Sequence, residues 1–226
     1  GMVVLFSSLS QYFLTFDTFV SIANEIPALT VMAIGMTFVL IIAGIDLSVG
    51  SVLALSAAAT AAAILQWHWS MPAAAALGLV TGLLCGAITG AVSVAWRLPS
   101  FIVSLGMLEA VRGAAYLVTD SRTQYVGDAI SGLANPWIGG ISAAFVLAVV
   151  LVVVGHLVLT RTVFGRYVVG IGTNEEAMRL AGIDPRPISI IVFAATGLLA
   201  GLAGLMQSAR LEAADPNAGV GVELQV

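Results

Sequence analysis

Four stretches of this chain run without a charged residue: 26–45, 47–96, 129–160 and 187–209. About 20 consecutive apolar residues cross the hydrocarbon core of a bilayer. The second stretch therefore holds two crossings, and each of the others about one. Strands of a membrane barrel would alternate apolar and polar positions over roughly ten residues. These runs are continuous, so the spans are helices. The pattern predicts helices over residues 28–43, 49–65, 72–95, 101–118, 141–160 and 188–207. The expected fold class is all-α, a polytopic transmembrane helical bundle forming one membrane domain over 1–226.

The polar interruptions orient the bundle. Residues 160–187 form an island between two apolar runs, with Arg161, Arg166, Arg179 and Arg186 beside Glu175, Glu176 and Asp184. If the island is cytoplasmic, the positive-inside rule is met. Counting helices backwards then places Arg97 inside and residues 67–71 and 120–140 outside, with the tail after Gln207 also outside. Trp67 and Trp69 fall at a span end, where amphipathic rings favour the interface. Arg97-Leu98-Pro99 separates two helices, because the proline ring discourages helix continuation. Residues 11–25 read as an amphipathic segment lying on a surface. The opening GMVVLFSS has no basic n-region and is not a signal peptide; it resembles the end of a span whose beginning is absent.

Composition sharpens the class. The chain is 60% hydrophobic and 9% charged, with mean hydropathy +1.07, whereas soluble domains are about a quarter charged. Net charge is −4 and no basic cluster exists, which excludes a nucleic-acid partner. His68, His156 and Cys85 lie apart from one another and from carboxylates, so neither a metal site nor a cofactor is expected. There is no lysine and no phosphate-binding glycine loop. The chain therefore does not itself bind ATP through such a loop, and it is not expected to be an enzyme.

Four features carry more specific content. Residues 43–51, AGIDLSVGS, break an otherwise apolar run. Gly44 and Gly50 tolerate non-helical backbone, and Asp46 and Ser48 can hold freed N–H groups. This is either a broken helix lining a transport path or a tight turn capping the next helix; both make Asp46 and Ser48 organise a helix start. Gly78, Gly82, Gly86 and Gly90 fall on one helical face, where another backbone can approach closely, as do Gly197 and Gly201. Glu109 and Arg112, three apart on a helix, are neighbours; a structural ion pair is the expectation, a polar pathway the alternative. In the island, Thr173 or Asn174 can cap a short helix with Glu175 and Glu176 in its first turn. Arg179 follows Glu175 by four, and Gly182 stops the helix. Ala177, Leu180 and Ala181 give it an apolar face suited to a partner's groove.

Four segments in order, AIGMTFVLIIAGIDLSVGSVLAL, LPSFIVSLGMLEAVRG, GRYVVGIGTNEEAMRLAGI and ARLEAADPNAGVGVEL, make the chain resemble one family. It is similar to the membrane-spanning permease of ribose/xylose-type ABC sugar importers, within the branched-chain amino acid and ribose permease group. The resemblance implies a multi-pass protein of the bacterial inner membrane, carrying a small pentose- or hexose-class sugar. Its implied partners are a second permease copy, two cytoplasmic ABC ATPase subunits and an extracytoplasmic solute-binding protein. It also makes the segment with Gly172, Thr173, Asn174, Glu175, Glu176, Arg179, Leu180 and Gly182 the coupling helix docked on the ATPase. Asp46, Ser48, Glu109 and Arg112 become candidate path residues. Ala43 and Ala181 stand where the family often carries Gly and Ser, departures expected to be harmless. The family usually extends further at both ends, so a truncated chain is expected. The rival reading is a secondary carrier for a small polar solute, which also uses broken helices but needs no ATPase-docking helix.

Overall fold

The computed structural model describes residues 15–226 together with Leu9 and Phe13; the expectations for GMVVLFSS and for Gln11, Tyr12 and Leu14 lie outside the described residues. Thr15 caps α1 (Phe16–Glu25), an amphipathic helix with no buried residue. Pro27 then opens α2 (Pro27–Ile41) at a 46° bend, since a proline at the first helical position sacrifices no hydrogen bond. The bundle continues with α3 (Val49–Leu65), α4 (Met71–Trp96), α5 (Ser100–Val118), α6 (Ala143–Arg161), α7 (Val163–Leu180) and α8 (Pro185–Leu211). Short strands appear only in connections: β1 (Gln124–Tyr125) pairs antiparallel with β4 (Ala213–Ala214), and β2 (Pro136–Ile138) with β3 (Ile141–Ser142). The fold is an all-α polytopic bundle. Among the described residues α4, α5, α6 and α8 are long and apolar enough to cross a membrane, and bent α1–α2 would make a fifth span.

α8 is the central post, packed on α4, α2 and α3. The glycine face of α4 makes the tightest of these contacts. A Cβ added at Gly82 would fall on the Gly197 carbonyl oxygen, one at Gly86 on that of Phe193, and one at Gly197 on that of Gly82. Gly78 sits against Thr60 Oγ1 and Gly90 against the Phe193 side chain. Backbones at such range gain dispersion contacts along their whole length. The Thr196 hydroxyl adds a bond to the Gly35 carbonyl (3.1 Å), tying α8 to α2. α6, by contrast, is the most apolar span and the least buried, the character of a lipid-facing helix.

The loops segregate to two ends. At one, Glu25 meets Arg210 (3.5 Å), and Asn24 bonds the Gly140 carbonyl and the Ser142 N–H (3.0 and 2.8 Å). At the other, Ala43, Gly44, Arg97, Ser100, Glu175, Arg179 and Arg186 surround one cavity. This is the grouping that the arginine pattern requires, with one correction. The tail after Gln207 does not stay at the first end. α8 runs to Leu211, and the chain then turns back into the bundle until Gly219 rests against Gly50.

Candidate functional site

Two structured breaks and one capped helix hold the polar chemistry. α7 is two helices joined at Asn174, whose extended backbone (φ −162°, ψ 96°) interrupts the spiral. There Asn174 Oδ1 accepts from the Ala177 N–H (2.9 Å), capping the second helix, whose first turn carries Glu175 and Glu176. Arg179 pairs with Glu175 on an exposed surface, a contact worth only a few tenths of a kcal/mol. Gly182, at φ +82°, ends the helix: its N–H bonds the Arg179 carbonyl (2.9 Å) and that of Ile183 the Met178 carbonyl (3.0 Å). Glycine takes the positive φ of this closure without strain. Met178 folds onto Gly170, and Leu180 is left 83% exposed. Thr162 and Asp184 cap the neighbouring helices through Gly165 and Arg186 (3.1 and 3.0 Å). The first half of α7 is a helix that the periodicity alone missed, because Gly165, Gly170 and Gly172 lower helical propensity across it.

Gly172 connects this unit to the first break. A Cβ there would fall on the Ile41 carbonyl oxygen, so the end of α7's first half lies backbone-on-backbone against the end of α2. α2 stops at Ala43, which takes φ +59° while the Gly44 N–H bonds the Val39 carbonyl (2.9 Å). Ala43 is therefore not a harmless departure, since a Cβ strains the left-handed conformation. Ser100 Oγ accepts from the Ile45 N–H (2.9 Å). Asp46 is 1% exposed; its Oδ1 accepts from the Ser48 N–H (2.9 Å) and the Ser48 hydroxyl (2.6 Å). A cavity of about 460 Å³ lies between this break and the helix carrying Glu175 and Arg179.

The depth of the break follows from its neighbours. Gly78 of α4 sits against Ser56 and Thr60 of α3. From there α4 runs on to Trp96, whereas α3 has only two to three turns before Val49. At about 1.5 Å per residue, α3 begins roughly 10–16 Å short of the end of α4, within membrane depth.

The second break is the returning tail. Asp215 Oδ1 accepts from the Asn217 N–H (2.8 Å). Arg112 Nη1 donates to the carbonyls of Pro216 and Ala218 (both 2.7 Å), and Tyr116 Oη bonds Asn217 Oδ1 (2.6 Å). The expected Glu109–Arg112 ion pair is absent among the described residues. The guanidinium is drawn to two carbonyls that the turn leaves without helical partners, and Glu109 stays exposed on the open side of α5. Asp46 and Ser48 thus belong to one break, Arg112 holds the other, and Glu109 stays on the open side of α5. Gly82, Gly86 and Gly90 lie in the α4–α8 seam and Gly78 lies against α3, away from both breaks. Among the described residues no three His, Cys, Asp or Glu side chains gather as a metal site would need.

A family model described as branched-chain amino acid transport system / permease component matches residues 18–226. The ribose import permease protein RbsC of Escherichia coli K12 is 36% identical, the alignment covering 99% of this chain and 71% of that protein. The L-arabinose ABC transporter permease protein AraH of Azospirillum brasilense is 34% identical over 99% of this chain and 67% of its own. The D-allose transport system permease protein AlsC of E. coli K12 is 34% identical over 98% and 69%. No solved structure matches the chain.

Proposed function

Because the chain belongs to the branched-chain amino acid transport system permease family, we propose how its geometry serves import. It is the permease subunit of an ABC importer of the inner membrane, and it leaves ATP hydrolysis to a separate subunit. Its cargo is a small sugar of the pentose or hexose class, as the names of its relatives indicate. It works with an ABC ATPase and an extracytoplasmic solute-binding protein. The full assembly pairs two permease copies with two ATPase subunits, and the polar island faces the cytoplasm. Residues 1–226 belong to a single membrane domain, with the coupling segment over 161–187.

The observation that carries the coupling role is the capped helix after Asn174, whose Leu180 stands exposed outside the apolar bundle. Exposed apolar side chains on a rigid, polar-rimmed helix mark a protein interface. Asp46 and Ser48 hold the first break in shape, and the face of α5 with Glu109 and Arg112 lines the path. No comparable observation favours a secondary carrier, for which this docking helix would have no use.

The test reverses one charge. Glu175→Arg should reduce ATPase co-purification and uptake of labelled sugar together, by tenfold or more, while the thermal midpoint of the detergent-solubilised permease stays in place. Undiminished co-purification and uptake would remove the coupling role.

A further inference from the structure

The two breaks are copies of one device. Ala43, Asp46, Ser48 and Gly50 correspond in order and spacing to Glu212, Asp215, Asn217 and Gly219. In each copy a helix ends on a non-glycine residue at positive φ, +59° at Ala43 and +52° at Glu212. In each the aspartate three residues on accepts, through Oδ1, the N–H two residues further along (2.9 and 2.8 Å). The closing glycines touch: a Cβ on Gly50 would fall on the Gly219 carbonyl oxygen, and one on Gly219 would come within 2.5 Å of that of Gly50.

Their surroundings differ. The Ser48 side chain is fully buried and turned onto Asp46, whereas Asn217 is exposed. Asn217 shares the open side of α5 with Tyr116 and Glu109, and nothing lies within 4 Å of a Cβ built on Gly106 or Gly113 along that helix. Glu109 lies exposed at the middle of α5, and a carboxylate at that depth cannot face lipid at acceptable cost, so the side it shares with exposed Asn217 and half-buried Tyr116 meets water. Arg112 fixes the turn through its two carbonyl bonds and is spent in doing so. Asn217 donates one amide N–H to Asp215 Oδ1 (3.2 Å) and accepts from Tyr116, which leaves a second N–H and a second lone pair beside the phenol ring, a set that suits the hydroxyls and ring face of a sugar.

We infer that the exposed copy, the Asp215–Gly219 turn, is a sugar-contacting element of the path, with Asn217 and Tyr116 as specificity-determining residues, while the buried Asp46–Gly50 copy is its structural counterpart. This rests on the sugar-permease reading above. The experiment compares uptake of labelled D-ribose, L-arabinose and D-allose, each at saturating concentration, in cells expressing the full permease with its ATPase and binding protein. Asn217→Ala and the milder Tyr116→Phe should lower uptake at least fivefold for one of these sugars and unequally among them. ATPase co-purification and thermal midpoint should hold. Ser48→Ala should instead lower folded yield and leave the ratio among the sugars unchanged. Unchanged uptake in both variants, or an equal fall for every sugar tracking a lower thermal midpoint, would overturn the inference. A parent system that takes up none of the three would overturn the sugar assignment itself, and this inference with it.

Discussion

Ala43 shows how one side chain can sit against its own backbone. At φ +59° its Cβ crowds the following carbonyl, a strain of about 1–2 kcal/mol for an L-residue, yet the cap it makes through Gly44 and Val39 is intact. Glycine takes this conformation freely but adds freedom to the unfolded chain. Ala43→Gly should therefore stabilise the protein by roughly 0.5–1 kcal/mol, read as a raised thermal midpoint in detergent; a lowered midpoint would mean that the methyl packs usefully. Asn174 is a contrasting case in which side chain and backbone agree. Its amide oxygen replaces the carbonyl partner that the break in α7 removes.

At the scale of elements, the α4–α8 seam exists because glycine lets two backbones meet. Gly82→Leu with Gly86→Leu would drive leucine into the carbonyls of Gly197 and Phe193. Overpacking typically costs about 1–3 kcal/mol per site, so folded, detergent-stable protein should fall severalfold. Leu84→Val, on the exposed side of the same helix, should change little. Equal yields for the two would mean that the helices part without penalty. The spans and the capped island were legible in the amino-acid pattern, because bilayer thickness and helix capping act over short windows. The predicted helix over 49–65 coincides with α3, and Gly182 closes the island helix as its position after Leu180 suggested. The returning tail was not legible. Its anchor, Arg112 on the carbonyls of Pro216 and Ala218, joins positions more than a hundred residues apart through backbone atoms that leave no compositional trace. The repeated Asp-x-[Ser/Asn]-x-Gly at 46–50 and 215–219 was visible in the sequence, but only the shared hydrogen bond gives it meaning.

For the whole molecule, the grouping of loops at two ends makes sidedness testable. With cysteines placed singly at Ser121 and Thr173 in a Cys85→Ala background, an impermeant thiol reagent added to intact cells should modify the first and spare the second. Modification at 173 would invert the molecule and detach the coupling assignment. The contact of Gly172 with the Ile41 carbonyl has a mechanical consequence of its own. Side chains are compliant: they change rotamer and absorb small displacements. Two backbones in direct touch have nothing to yield, so they behave as a stiff linkage, and under the coupling role proposed above a push at the capped helix would reach the end of α2 with little lost on the way. Stiffness of this kind sets the fuel economy of a transporter. Gly172→Ala would wedge the linkage open and introduce slip, so that the ATPase turns over while the membrane helices lag. The number of ATP molecules hydrolysed per sugar moved should then rise severalfold even where ATPase binding is unchanged; an unaltered ratio would show that the stroke is delivered through some other contact.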